Sequence, residues 1–403
     1  MSKRCAIIGA GASGLVAAIE AARAGLHVKV FEKNAKCGRK LLTTGNGRCN
    51  ITNLALGLEH FHSNDADAVA RVLAGFDTKA CMAYFKALGV EIVASEGGKC
   101  FPMSFQARTV VEMLTFTCKA LGVEFVFECE VLHVKKENDV FALETQEGTQ
   151  VFDVLLVATG GASVPTLGSS TRGLEFAQHF GHRVYETFPS LVQLVTKEDA
   201  SLASGVKWCC EVSVVVDGRV RGVHQGDVLF ASYGLSGLAI LDASREVVAN
   251  LALGHRVAVC LDLFPSLSKE ALKGLFQKRA NLLSMMPLVT WLEGVMHHKL
   301  ARLVLEHLGL HGTTTLDTKT LNRLVHGCKR FEWEIKESKG YATAEVMAGG
   351  VAMEEIDPLT MGSCKVGGLY FSGEVLDVDG DCGGYNLHFA WASGIKAGRS
   401  MAR

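Results

Sequence analysis

The sequence predicts an α/β protein: a parallel sheet flanked by helices, interrupted by a long insertion with β-rich and helical parts. Three segments of the 403 residues carry that class. Near the start, an apolar run closes on G-x-G-x-x-G and passes into a helical repeat. In the middle, DVLLVATGGAS is a buried run ending on Gly160-Gly161. Near the far end, GLYFSGE is followed, after a loop, by Gly383-Gly384 and a helix of small and apolar residues. Strand, glycine turn and helix in that succession build a parallel sheet.

The first segment is the most specific. Cys5–Ile8 reads as a short buried strand, and Gly9, Gly11 and Gly14 form the glycine signature, with Ala12 and Ser13 opening the helix. Leu15, Ala18, Ile19 and Ala22 recur at helical spacing, Gly25 ends the helix, and Val28 and Val30 belong to a second strand ending at Glu32 and Lys33. Gly9 permits the tight turn, Gly11 lets a pyrophosphate approach the amides at the helix start, and Gly14 lets helix and strand pack closely. Glu32, about twenty residues on, supplies a carboxylate for a ribose diol, and its charge repels a 2′-phosphate. An ADP-containing dinucleotide is the expected ligand.

Composition narrows the remaining classes. Charged residues are 21%, hydrophobic residues 48%, and the formal net charge is −1, so no chain-wide field attracts nucleic acid or anionic lipid. Apolar runs such as 154–158 are far too short to cross a bilayer. The chain opens directly into a strand, without the layout of a signal peptide. The 13 cysteines contain no C-x-x-C, which predicts reduced thiols in a cytoplasmic protein rather than a disulfide framework, a zinc site or a dithiol flavoenzyme.

Residues 38–53, GRKLLTTGNGRCNITN, hold three glycines, three basic side chains and three asparagines without hydrophobic periodicity. The stretch is open to three readings: a phosphate cradle, a reactive-cysteine loop or a nucleic-acid patch. Its position just beyond Glu32, at the C-terminal edge of the sheet, favours a clamp on the cofactor. The basic patch is isolated and lacks interleaved aromatics, which weighs against nucleic acid. Arg39, Lys40 and Arg48 bring positive charge, Asn46 and Asn50 bring hydrogen bonds, Gly47 eases the backbone path, and Cys49 packs beside the cofactor.

Beyond this point the chain departs from a simple dehydrogenase. Residues 125–131 and 140–145 are expected to be strands of an antiparallel meander, before the run that closes on Thr159, Gly160 and Gly161. No second G-x-G-x-x-G follows a strand, so no dedicated nicotinamide domain is expected. This order resembles the two-dinucleotide-binding-domain flavoproteins, with a Rossmann-type domain across which FAD lies extended. The resemblance implies that Gly373 and Glu374, after the strand at 369–372, meet the ribityl chain. It implies that backbone groups of Val131 meet the adenine. It also implies that the helix opening at Gly384, Tyr385, Asn386 and Leu387 points its positive end at the flavin, where it stabilises the anionic reduced form.

The motifs GRKLLTTGNGRCNITN, GGKCFPMS, AEVMAGGV and GEVLDVDGDCGGYNLHFAWASG together resemble the YhiN/BaiN-like bacterial flavoproteins over essentially the whole chain. Members of that family are variously described as NAD(P)/FAD-dependent oxidoreductases, 3-dehydro-bile-acid Δ4,6-reductases and aminoacetone oxidases. The family implies an FAD domain formed by residues 1–190 and 346–403. Between them it implies a β-rich part at 191–265, a helical part at 266–330 and a return to the β-rich part at 331–345. This sequence departs from the family pattern at residues 231–238, where the usual histidine and proline are absent, and at Val164, Met347 and His388.

Within the insertion, EVSVVVDGRVRGV reads as a hairpin about Asp217-Gly218, with VLFAS, VAVCLDLF and FEWEIKES as further strands. Helices are expected over 236–250, from Ser268, over 291–308 and from Asp317 to Val325. His297, His298 and His307 do not present a facing metal pair, Cys209-Cys210 reads as strand packing, and no metal site is expected.

For hydride chemistry with a proton donor, the candidates are Cys49, Tyr233, Tyr385 and His388, with Arg48 to hold a carboxylate or an enolate oxygen. Tyr385 and His388 share a face of the last helix. The leading expectation is an FAD oxidoreductase that takes hydride from NAD(P)H and reduces a conjugated carbonyl compound, specifically a bile-acid-like 3-oxo-diene. An oxidase of aminoacetone-like amines and a non-catalytic flavin-binding sensor are the alternatives. The expected partner is a small molecule, with no nucleic acid and no membrane.

Overall fold

The computed structural model describes residues 2–283, 285–311 and 316–403. Arg4–Ile8 (β1) runs into helix Ala12–Arg23 (α1), and the chain returns as His27–Phe31 (β2). Glu124–Val126 (β3), Val154–Val157 (β4) and Leu369–Phe371 (β5) complete a parallel sheet in the order β5-β4-β1-β2-β3. Every position of β4 is buried, as in a sheet covered on both faces.

The last helix, Tyr385–Ser400 (α2), lies against α1 at a separation that only small residues allow. A Cβ on Gly394 would stand 2.4 Å from the Ser13 carbonyl oxygen, and one on Gly398 2.5 Å from that of Ala17. The small residues of this helix are therefore a packing surface. Trp391, fully buried, meets Phe85 edge to face with ring centres 5.0 Å apart. Burying a side chain of that size contributes roughly 2–3 kcal/mol.

The chain divides into two compact units, one running to Phe188 and resuming at Val346, the other Pro189–Glu345. In the first, the meander consists of Val131–Glu137, Val140–Thr145 and Gly148–Phe152. The expected meander strand over 125–131 does not form. Glu124–Val126 joins the parallel sheet beside β2, held by a 3.0 Å ion pair between Lys29 and Glu124. The chain then turns at Glu128, whose φ of 54° breaks the extended path.

The second unit is a closed barrel of Leu194–Thr196, Gly234–Ser236, Arg219–Ala231, Lys207–Val216, Val257–Asp262 and Phe331–Ser338. Asp217 and Gly218, at φ 48° and 79°, make the expected primed turn between its two longest strands. VLFA is the end of the 13-residue strand that begins at Arg219, and Ser232 turns out of it. Asp317 and Ser268 cap their helices, accepting from the amides of Thr320 and Ala271. Barrel and helices share one core, from Val212, Phe230 and Trp333 to Phe276, Trp291 and Leu324.

The helix expected over 291–308 is two, Leu288–Glu293 and His298–His307. At the break, before Gly294, the Arg279 guanidinium donates to the Trp291 carbonyl at 2.7 Å and occupies the space beside Gly294. The second helix restarts with His297 as its cap, and His298, also exposed, stacks on it. Among the described residues, no group of histidine, cysteine or carboxylate side chains could hold a metal.

Candidate dinucleotide site

Three glycines at the β1–α1 turn do three different things. Gly9 has φ 106°, and a Cβ there would lie 2.4 Å from the Ala158 carbonyl oxygen, so β1 and β4 approach too closely for any side chain. On Gly14 a Cβ would lie 2.0 Å from the Gly9 carbonyl oxygen. Gly11, at φ −83°, is under neither constraint, because nothing lies within 4 Å of its added Cβ. Its bareness keeps space open in front of the first amides of α1, which lack intrahelical acceptors. Open space in front of the helix start is what remains. Ser13 is buried beneath it and donates to the Ser372 carbonyl, joining α1 to the end of β5.

Glu32 closes the cradle at the end of β2, with Lys33 beside it. One of its oxygens accepts from the Ala10 amide at 2.9 Å, the other from the Asn34 amide and side chain at 2.8 and 2.6 Å. Asn34 in turn accepts from Arg39, which also donates to the Thr166 carbonyl. The carboxylate expected for the ribose is thus beside the glycine turn. Val131 lies two residues past Cys129, whose amide bonds to the Glu32 carbonyl.

At the ends of β4 and β5, Thr159, Gly160 and Gly161 face Gly373 and Glu374. Glu374 accepts from Lys40 Nζ at 2.6 and 2.9 Å, from Ser163 Oγ at 3.0 Å and from the Met347 amide at 2.9 Å. Lys40, one of the basic residues expected to bring positive charge to the site, has Glu374 as its partner. Val164, next to Ser163, is held at φ 53°, a costly conformation for a β-branched side chain.

Gly45, Asn46, Gly47 and Cys49 all have positive φ, between 57° and 79°, so the stretch is a left-handed turn that glycine and asparagine tolerate. Asn46 and Arg48 are exposed, and the Arg48 guanidinium lies 4.7 Å over the Phe101 ring. The end of the stretch is fastened to the start of α2. Asn53 donates to the Gly383 carbonyl, the Trp391 indole donates to the Ile51 carbonyl, and Asn50 accepts from the Cys100 amide. Gly384 has φ 99°, and a Cβ there would stand 2.9 Å from the Thr52 carbonyl oxygen, so only glycine fits.

Several candidates have other duties. The Asn386 side chain accepts from the Gly380 amide and donates to its carbonyl, at 2.8 and 2.6 Å, so it braces a turn. What Tyr385, Asn386 and Leu387 offer an anionic group is their amides at the helix start. Tyr385 donates its hydroxyl to the Ala55 carbonyl. Cys49 is fully buried, and burial pushes its thiol up to about 12, which removes it as a nucleophile or a proton donor. Tyr233 belongs to the second unit, with the Lys339 ammonium 4.5 Å over its ring.

His388 is the clearest correction. It is fully buried; Nε2 donates to the Phe76 carbonyl at 2.7 Å, and Nδ1 accepts from Thr52 Oγ1 at 2.8 Å. Burial holds its pKa down from 6.5 to about 4, so it is a neutral core histidine. The unfolded chain then binds more protons than the folded one between those values. This contribution to stability is complete above pH 6.5 and is lost as pH falls to about 4. The loss should be ~3 kcal/mol across the window. Denaturant titrations should show wild type losing more stability than His388→Gln over this range; equal losses would contradict the assignment.

His60, His62 and Asp381 were not among the candidates. Asp381 accepts from His60 Nδ1 at 2.9 Å and from His62 Nε2 at 2.8 Å. The two-residue spacing of the histidines was the available signal.

The glycine cradle, the ribose-side carboxylate and the helix start opposite it fit an FAD, and the arrangement is that of a Rossmann-type flavoprotein. The chain belongs to the HI0933-like protein Rossmann domain family, whose profile matches residues 3–400. It is therefore a member of a flavoprotein oxidoreductase family. It is 33% identical to the 3-dehydro-bile acid delta(4,6)-reductase of Clostridium scindens, with 99% of each chain covered. It is 31% identical to the ribosomal RNA dihydrouridine synthase of Haemophilus influenzae, with 98% of each covered. A flavocytochrome c3 fumarate reductase shares the fold, with a TM-score of 0.52 at 15% identity, covering 100% of this chain and 78% of that one. Among the described residues, no helix is long and apolar enough to cross a membrane.

Proposed function

We propose that the chain is an FAD-dependent reductase that transfers hydride from NAD(P)H to a carbon–carbon double bond conjugated with a carbonyl. The names of both full-length relatives denote this chemistry, since a 3-oxo-dienyl steroid and a uracil ring each present such a bond. Bound FAD supplies the hydride; the chain supplies the cradle, the cationic and apolar surfaces that hold the acceptor, and a proton.

A flat, apolar, carboxylate-bearing acceptor is favoured by one local observation. Arg48 lies over Phe101, whose ring is 5.9 Å from that of Phe105, and Phe105 and Met103 are exposed beside it. An arginine on an aromatic platform suits an anionic ring system. The second reading, uridine within RNA, rests on the Haemophilus influenzae relative, and the net charge of −1 weighs against it.

The test is anaerobic incubation of holoprotein and NAD(P)H with a 3-oxo-4,6-diene bile acid and with unmodified ribosomal RNA, and a separate incubation in air, without nicotinamide, with aminoacetone. Mass spectrometry should find two hydrogens added to the bile acid. Addition to uridines alone would establish the RNA reading, and turnover of aminoacetone alone would overturn both.

A further inference from the structure

We propose that the His60–Asp381–His62 cluster is the proton store of the site at the start of α2, with His60 as its outlet and Asp381 as the residue that positions it. The proposal rests on the reductase reading, because reducing a conjugated double bond consumes one proton for every hydride.

The cluster is built by backbone pairing across a large sequence separation. Phe61–His62 pairs antiparallel with Asp379–Gly380, and the Asp381 amide donates to the His60 carbonyl at 3.0 Å. That places the Asp381 carboxylate between two imidazoles. A carboxylate only accepts, so His60 Nδ1 and His62 Nε2 each carry a hydrogen toward it. The tautomer of His60 is thereby set, with Nε2 left to gain and lose the mobile proton. Burial works against the charge on Asp381, and the two imidazole donors outweigh it, holding the carboxyl below its ordinary range. The charged groups facing His60 are Asp381 and the exposed Glu59, whose Oε1 is 3.9 Å from Nε2; His62 faces it across the shared carboxylate.

The location ties the cluster to the site. The His60 ring stacks on Tyr385, the first residue of α2, with centres 4.3 Å apart and planes 17° apart. Asn386 pins Gly380, the residue before Asp381, to the same helix start. The side chains of His60 and His62 are 29% and 33% exposed, so solvent can recharge them. Most of the other candidates are otherwise engaged. Cys49 is buried as a thiol, His388 is neutral with both nitrogens engaged, Tyr385 donates to a carbonyl, and arginine does not release its proton at neutral pH.

In the step itself, the His60 imidazolium gives its Nε2 proton to the substrate carbon next to the carbonyl, where a C–H bond forms. The ring is left as neutral imidazole with Nδ1–H still on Asp381. A solvent proton then restores it. Bound FAD would supply the hydride to the other carbon from NAD(P)H, so two electrons and two hydrogens are accounted for.

The test uses full-length holoprotein labelled with 15N-histidine, together with pH–rate profiles for His60→Gln and Asp381→Asn. Nitrogen shifts should show His60 protonated at Nδ1 in wild type and should lose that preference in Asp381→Asn. His60→Gln should lower turnover about 100-fold with flavin affinity and melting temperature retained. Asp381→Asn should lower turnover as well, because His60 is no longer held with Nε2 free to donate. Wild-type His60 unprotonated at Nδ1, or normal turnover with an unchanged profile in His60→Gln, would overturn the proposal while leaving the reductase reading intact. A wild-type holoprotein that reduces no conjugated carbonyl compound would overturn the reading, and the proposal with it.

Discussion

Gly11→Leu is expected to leave the apoprotein folded while weakening FAD binding by about 100-fold or more, the equivalent of ~2.7 kcal/mol. The backbone at Gly11 is in a conformation any residue adopts, and a Cβ added there meets no protein atom within 4 Å. What it fills is the space that a pyrophosphate needs in front of the α1 amides. Gly14→Ala should do the reverse. Its Cβ would lie 2.0 Å from the Gly9 carbonyl oxygen, backbone that cannot give without separating α1 from β1. The expected cost is roughly 3 kcal/mol of stability, at the upper end for overpacking. Thermal melts of the apoproteins and flavin titrations distinguish the two variants. Undiminished FAD affinity in Gly11→Leu would mean that the ligand does not lie over this turn.

Glu374→Ala should be the most damaging change at the opposite strand ends. The carboxylate collects Lys40, Ser163 and the Met347 amide, and its removal strands a partly buried ammonium and a backbone donor. A loss of about 2 kcal/mol is expected, with weaker flavin binding. Lys40→Met should cost about half as much, because the carboxylate keeps its other two donors. The double variant Lys40→Met/Glu374→Ala should recover about 1 kcal/mol relative to the sum of the single losses. Denaturant unfolding checks each value. Strict additivity would show that the ion pair contributes nothing.

The parts of the site that were legible in the sequence are those built from neighbours along the chain. The β1–α1–β2 unit shows itself through glycine spacing, a helical repeat and a terminal carboxylate within some thirty residues. The Asp217-Gly218 hairpin and the caps at Ser268 and Asp317 are equally local. What escaped depends on residues far apart. His60 and Asp381 are separated by 321 positions, and nothing in either neighbourhood signals that one carboxylate serves two imidazoles. The helix over 291–308 has an unbroken apolar repeat, yet Arg279 from another helix takes its Trp291 carbonyl. Tyr385 and His388 do share a face, as their spacing implies, but both are buried, so the face is one that packs. Spacing reports which residues are together; burial and hydrogen-bond partners decide what they can do.

The central claim, that this flavoprotein is a nicotinamide-driven reductase, is tested most directly by anaerobic mixing of the holoprotein with NADH or NADPH. The oxidised-flavin absorbance at about 450 nm is followed throughout. The account predicts bleaching by at least one nicotinamide and return of the band when a conjugated carbonyl compound is added. A band that persists with both nicotinamides, or that bleaches with aminoacetone alone, would contradict it.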